Sequence, residues 1–201
     1  MEEVIFDVET KKLFGDVIGD DPGLLGVSIV SVYTRRVDNS FNELEGKMTS
    51  FWEEDFPNMW PLFQSAKRII GFNSIGFDAL ALKPYANFPF EKLPHFDIML
   101  KFKEKAGHRI SLDSLAKETL GSQKSDVGTN AVYYFQKGDP ESLAKLKKYC
   151  EADVALTRDL YDYIAKNGQV HYKDKWNTPR SLELNFSYPK EASPDSQIGL
   201  F

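Results

Sequence analysis

The run Val4-Ile5-Phe6-Asp7-Val8-Glu9-Thr10 constrains this chain more than any other stretch. It is apolar and β-branched, which reads as a buried strand over residues 4–8, yet it carries two carboxylates two residues apart. Side chains repeat every second residue along a strand, so Asp7 and Glu9 project to one face. Two like charges side by side on a core-type strand repel, and a cation between them is the simplest relief. A divalent metal fits that role. The rest of the chain must then bring further ligands to this strand.

With 201 residues the chain is long enough for one domain with a real core, and 42% hydrophobic with 27% charged residues is ordinary for a soluble globular protein. No apolar run reaches the ~18 residues of a membrane span. Met1-Glu2-Glu3 is acidic and lacks a basic n-region, so no signal peptide is expected. One cysteine, Cys150, precludes an intrachain disulfide and fits a reducing compartment. A cytoplasmic location is expected, with no membrane partner. The net charge of −5 and pI near 5.3 argue against indiscriminate binding to a polyanion. They leave room for a nucleic-acid enzyme whose divalent cations supply the attraction.

Residues 24–34 alternate apolar and small polar side chains and predict a second strand, with a weaker third at 41–44. A helix is predicted over 49–65, interrupted by Pro57 and Pro61, whose aromatics Phe51, Trp52, Phe56, Trp60 and Phe63 read as core. Residues 68–72 read as a short strand, 73–76 as a turn, and 77–83 as a short helix stopped by Pro84. Residues 96–104 are compatible with a helix. Residues 111–121 are a clear one, with a Ser cap and a terminal Gly. Residues 122–138 read as a polar connection. Asp139-Pro140 then opens the longest helix, whose apolar period runs to the stop signal Asn167-Gly168. Strands first and helices later predict an α/β fold: a mixed sheet flanked by helices. The expected divisions are a domain over 1–170, an extension over 171–188 and a flexible polar tail over 189–201.

Two further acidic positions stand out. Asp78 follows the turn Asn73-Ser74-Ile75-Gly76-Phe77 at the start of a short helix, where a carboxylate is also favoured by the helix dipole alone. Asp153 lies four residues after Tyr149, so the two share one helix face, at the edge of the apolar stripe of Cys150 and Val154. Taken singly, Tyr149 reads as a core-edge tyrosine and Asp153 as a partner for Arg158 or a lysine. Glu151 points about 200° away from Asp153 around the helix and is ranked as a non-ligand.

Together these segments resemble the DEDD superfamily of 3′→5′ exonucleases, which have a ribonuclease H-like fold. Phe6-Asp7-Val8-Glu9-Thr10 is similar to the first motif, Asn73-x-x-x-Phe77-Asp78 to the second, and Tyr149-x-x-x-Asp153 to the third in its tyrosine variant. The histidine variant wants His where this chain has Lys148. The segment Arg109 to Ala116, with Leu120-Gly121 and Lys124 after it, is similar to the region linking the second and third motifs. The resemblance spans residues 3–166 and implies two Mg²⁺ or Mn²⁺ ions held by Asp7, Glu9, Asp78 and Asp153. Hard cations prefer carboxylate oxygens, so four acids with no Cys or His ligand is a suitable set. By resemblance Asp7 bridges both ions, Glu9 and Asp153 hold the one that activates water, and Asp78 contributes through the other site. Tyr149 would orient the attacking water rather than act as a phenolate, its ordinary pKa being about 10. Thr10, Asn73, Phe77 and Lys124 are the expected substrate contacts, with the terminal nucleotide, a stacking surface or a phosphate. The expected substrate is nucleic acid, single-stranded DNA before RNA. The alternatives are an RNA-trimming exoribonuclease or a non-cutting nucleic-acid or protein-binding module.

The last five residues, Gln197-Ile198-Gly199-Leu200-Phe201, resemble the bacterial sliding-clamp-binding pentapeptide. A flexible polar tail with apolar anchors Gln197, Ile198, Leu200 and Phe201 suits such docking, because only a few residues need ordering. The setting implied is a bacterial or phage-infected cell.

Overall fold

In the computed structural model, residues 1–38, 40–121, 129–184 and 186 are described. The chain opens on β1 (Glu2–Thr10), β2 (Val27–Val37) and β3 (Glu43–Trp52), an antiparallel meander. Helix α1 (Phe56–Ser65) then crosses the sheet to β4 (Arg68–Gly71), which lies parallel to β1. Helix α2 (Asp78–Leu82) leads to the edge strand β5 (His95–Asp97), parallel to β4. The order is β3-β2-β1-β4-β5, with β1 central. Helices α3 (Ile98–Ala106), α4 (Leu112–Leu120), α5 (Thr129–Lys137) and α6 (Pro140–Asn167) follow. A hairpin, β6 (Gln169–Lys173) and β7 (Pro179–Glu183), closes the described chain. The architecture is the α/β mixed sheet flanked by helices that the sequence predicts. No helix among the described residues is long and apolar enough to cross a membrane.

The alternation along β1 sorts its side chains into two cores. Val4, Phe6 and Val8 pack with Phe56, Met59, Trp60 and Phe63 of α1 and with Ala79, Ala81 and Leu82 on and beside α2. Ile5 packs on the other face with Ile98 and Phe102 of α3, Leu115 of α4, and Val154, Leu160 and Tyr161 of α6. By the same period Asp7 and Glu9 lie on the α6 face. The aromatic group Phe51, Phe56, Trp60 and Phe63 is core, as its spacing predicts, and Trp52 is partly buried against a smaller cluster.

The helix α6 is aligned on the sheet by a buried polar network at the far end of β1. Arg35 donates to Glu3 at 2.8 Å and to both oxygens of Asp162 at 2.9 and 2.7 Å. Tyr161 Oη donates to Glu3 at 3.2 Å and accepts from Arg68 at 2.8 Å. Charged groups removed from water must be paired, so the network fixes one register of α6 against β1, β2 and β4. Asp162 lies nine residues, two and a half turns, beyond Asp153 on the same helix.

Several predicted boundaries move. The third strand is not the short 41–44 segment: it runs to Trp52, and the helix predicted from 49 begins at Phe56. As a sheet edge, β3 is mostly solvent-exposed from Glu43 to Lys47, so it lacks the apolar alternation that marks a strand. Gly46 is needed there, because a Cβ would stand 2.1 Å from Tyr33 Oη. The helix predicted at 96–104 starts at Ile98, after β5 takes His95–Asp97. Residues 122–138 are not merely a polar connection, since 129–137 form α5. Residues 169–183 form the hairpin, and Val170 and Leu184 are buried in the α6-side core.

Candidate active site

Strand β1 presents Asp7 and Glu9, both half-buried, to the N-terminal half of α6. That helix starts cleanly: Asp139 caps it by accepting from Ser142 N at 3.0 Å, and Pro140 takes the first position. Its apolar stripe then carries Tyr149, Cys150 and Asp153 into the interface, all buried. The Tyr149 side chain is hydrogen-bonded to Asp153, one turn on. Cys150 is fully buried, with Sγ 3.5 Å from the Asp7 carbonyl oxygen and 3.7 Å from Asp7 Oδ2. Carboxylate oxygens of Asp7 and Glu9 and the Cys150 sulfur all lie within 4.8 Å of one another.

Asp78 arrives from a different direction. It is the first residue of α2, is buried, and accepts the backbone N–H of Val8 at 3.0 Å. The turn before it is tightly specified. Gly71 has no room for a side chain, since a Cβ would stand 2.4 Å from Ser74 Cβ. Asn73 has φ +63°, the left-handed region that asparagine tolerates better than most residues. Asp97, at the end of β5, accepts from Asn73 N at 2.9 Å, Ile75 N at 3.0 Å and Leu100 N at 3.0 Å. One buried carboxylate thus caps α3 and holds the turn that aims Asp78. Arg109 donates to the Asn73 side-chain oxygen at 2.6 Å. A cleft of about 300 Å³ is lined by Asp7 and Asp153 together with Asn73, Arg109 and Ser111.

The electrostatics are those of crowded negative charge. Burial, with Asp97 and Asp153 adding to it, pushes the Asp78 carboxyl up to about 7, against the Val8 N–H, which favours its ionised form. Burial and the charges of Asp153, Glu9 and Asp7 raise the Tyr149 phenol well above its ordinary value. Burial, Asp7 and Glu9 do the same to the Cys150 thiol. A divalent cation among these groups would reverse all three penalties. The oxygen donors suit Mg²⁺ or Mn²⁺. The buried sulfur beside Asp7 is a departure from the all-oxygen set.

Of the residues singled out in the sequence, Asp7 and Glu9 lie within 4.8 Å of each other, with Cys150 as the third member of the group; Asp153 lines the cleft with Asp7 and Asp78 is joined to β1 through Val8, but neither belongs to that close group. Asn73 lines the same cleft. Thr10 is buried and donates to the Lys12 carbonyl at 2.9 Å. Phe77 is half-buried, its ring edge-on to the exposed Phe14 with centroids 6.1 Å apart. Lys124 and the tail residues Gln197, Ile198, Leu200 and Phe201 lie outside the described residues. Sequence reasoning missed Cys150 as a neighbour of Asp7, Asp97 as the support of the second segment, and Arg109 at the cleft. Asp97 had a readable signal, a carboxylate immediately before an apolar helical run. Cys150 had none, because a cysteine in a helical stripe is indistinguishable from core.

A profile of the RNase_H superfamily matches residues 4–165. No curated protein is similar enough in sequence to match. Among solved structures, the family B DNA polymerase from the hyperthermophilic archaeon Pyrobaculum calidifontis is similar with a TM-score of 0.57 and 19% identity, over 81% of this chain and 24% of the polymerase. The E. coli ExoI–ssDNA complex in its zinc-bound form aligns with a TM-score of 0.47 and 14% identity, over 83% of this chain and 41% of that one. A further structure of exonuclease I gives 0.46 and 15%, over 83% and 44%. The chain thus spans about a quarter of the polymerase and about two fifths of exonuclease I. The likeness to the polymerase is one of fold.

Proposed function

The chain belongs to the RNase H superfamily, and from that premise we propose that it is a metal-dependent 3′→5′ exonuclease acting on single-stranded DNA. The observation that carries this reading is the placement of two distant segments beside the strand of Asp7 and Glu9: Asp153 from α6 lines one cleft with Asp7 and, with Asp7 and Glu9, acts on the Tyr149 phenol, and Asp78 from α2 accepts from Val8 N. Asp7, Glu9, Asp78 and Asp153 would hold two Mg²⁺ or Mn²⁺ ions. Two such ions supply activation of a water molecule and stabilisation of the leaving 3′-oxygen.

The chain's own groups then have separable tasks. Asp97 and the Val8 N–H hold Asp78 in place, so its orientation does not depend on the ligand. In the metal-free protein burial and the neighbouring carboxylates hold the Tyr149 phenol in its protonated form, which supports a role in orienting a water by hydrogen bonding and not as a base. Arg109 and Asn73 line the same cleft as Asp7 and Asp153. Arg109 is the cation placed to meet a substrate phosphate. Thr10 and Phe77 are proposed contacts of the terminal nucleotide, and Lys124 of a phosphate. An intact acidic set favours cutting over a binding module that merely holds nucleic acid.

The direct test is incubation of the protein and of Asp7→Ala with 3′- and 5′-labelled single-stranded DNA and RNA, in Mg²⁺, Mn²⁺ or EDTA. Stepwise shortening from the 3′ end, dependent on metal and absent in Asp7→Ala, is expected, faster on DNA. Faster shortening of RNA selects the exoribonuclease alternative, and no shortening under any metal overturns the nuclease reading. The Gln197 to Phe201 sequence further supports recruitment by a bacterial sliding clamp. Removal of residues 197–201 should abolish binding to the purified clamp, and unchanged affinity would reject that recruitment.

A further inference from the structure

A second concave site lies at the other end of β4 from the acidic cleft. A cavity of about 420 Å³ opens between the start of β4, the edge strand β5, α3 and the last described residues. Its apolar lining, here called its floor, is Phe96 and Phe186 with the buried Leu184, and Lys67, Arg68, Lys101 and Lys105 also line it. Glu104 is the single carboxylate among the lining residues, and it accepts from Lys101 at 2.9 Å. Arg68 is buried and already donates to Tyr161 beside Glu3, so the exposed cations are Lys67, Lys101 and Lys105; on a chain whose net charge is −5, three lysines around one acid is a local excess of positive charge. Arg68 is opposite Glu3 in the β1–β4 register, four residues before Asp7. That is about 13 Å along the strand, so an occupant of the cavity leaves the acidic cleft free.

We infer that this cavity docks an acidic segment of a partner protein that inserts one large apolar side chain onto the Phe96–Leu184–Phe186 floor. The cations give charge complementarity and the floor gives the anchor, the usual division between the rim and the core of an interface. A nucleic-acid strand is the weaker fit. Phe186 is stacked on Tyr161 with centroids 5.3 Å apart, Arg68 covers Phe96 at 4.9 Å, and the two phenylalanines meet edge to face at 4.4 Å. Little ring face is left for a base to stack on. The inference does not depend on the nuclease reading, because it uses neither the acidic residues nor the cleft.

The test is fluorescence anisotropy with the full chain and a labelled peptide, Asp-Asp-Glu-Phe-Asp-Asp, in EDTA. Saturable binding that weakens with salt is expected. It should fall at least about tenfold in the double variant Lys101→Glu, Lys105→Glu, and by a similar factor when the peptide's Phe is replaced by Ser. Both lysines are exposed on α3, so the variant should melt like the wild type and shorten free oligonucleotides at the wild-type rate. Absence of saturable binding, or equal binding by the double variant, overturns the inference. Displacement of the peptide by single-stranded DNA would reassign the cavity to nucleic acid. Tighter binding by a peptide of residues 189–201 would reassign it to the chain's own tail.

Discussion

The backbone N–H of Val8 donates to the Asp78 carboxylate at 3.0 Å, although the two residues are 70 apart in sequence. The contact occurs where the β1–β4 ladder stops: the pairing ends at Ile5 with Ile70, and β4 then turns away at Gly71. A side-chain oxygen satisfies a strand N–H that the neighbouring strand no longer reaches. The same carboxyl is therefore a structural acceptor with one oxygen and a candidate ligand with the other.

Asp78→Asn separates those two tasks. The amide oxygen keeps the Val8 bond, while the negative charge disappears from a buried, acid-crowded position. The metal-free variant should be at least as stable as the wild type in urea denaturation. Its metal-dependent shortening of DNA should fall by about a hundredfold or more, the equivalent of roughly 3 kcal/mol of lost stabilisation. A variant that keeps wild-type activity would remove Asp78 from the ligand set.

The raised Asp78 carboxyl also sets a pH dependence whose sign can be worked out. The ordinary carboxylate pKa is about 3.9, and in the folded chain it is raised to about 7. The folded state holds its proton longer than the unfolded state, so this group costs nothing below about pH 4 and destabilises the metal-free protein progressively up to about pH 7. A bound cation must displace that proton. The rise in Tm produced by Mg²⁺ or Mn²⁺ should accordingly be larger at pH 8 than at pH 5.5. A metal-induced shift equal at both pH values, or larger in acid, would contradict the assignment.

The sequence made legible what depends on local pattern and missed what depends on fold. Asp7 and Glu9 could be placed on one face because strand period is a local property, and Tyr149 with Asp153 because helix period is. The caps Ser111 and Asp139 marked the starts of α4 and α6 for the same reason. Strand β3 was foreseen only as a short segment at 41–44, and the β6–β7 hairpin escaped notice, because an exposed edge needs no apolar alternation. The cap that Asp97 makes on α3 was locally readable, but its support of the Asn73 turn and the contact of Cys150 with Asp7 were not, because those partners are remote in sequence. Arg35 gave no signal either, since its pairing with Glu3 and Asp162 is made across three elements.

Tyr149→Phe tests the role of a single hydroxyl. The ring keeps its packing, and the loss of one hydrogen bond to Asp153 should cost about 0.5–1.5 kcal/mol of stability. The turnover rate should drop by roughly ten- to a hundredfold, with metal affinity measured by calorimetry little changed. The residual rate should keep the wild-type pH dependence, because a phenol that only orients a water gives up no proton in the reaction. A large loss of metal affinity instead would make the tyrosine a support for Asp153 rather than an orienter of water.

Arg35→Met tests whether the network at the far end of β1 positions the site. The substitution keeps much of the side chain's bulk but leaves Glu3, which is 1% exposed, without the Arg35 guanidinium, and frees Asp162 of α6 from Arg35's bidentate tether. Removing the main partner of a buried charge should cost up to about 3–5 kcal/mol in urea denaturation, less whatever Tyr161 and Arg68 still supply to Glu3. The paired variant Glu3→Gln, Arg35→Met removes both charges and should recover part of that loss, which separates electrostatic cost from lost packing. If the network sets the register of α6, Arg35→Met should also lower DNA shortening at temperatures where the variant is fully folded, since Tyr149 and Asp153 ride on the same helix. Full activity in a folded but destabilised Arg35→Met would confine the network to stability and leave the placement of Asp153 to the apolar contacts of Val154 and Leu160.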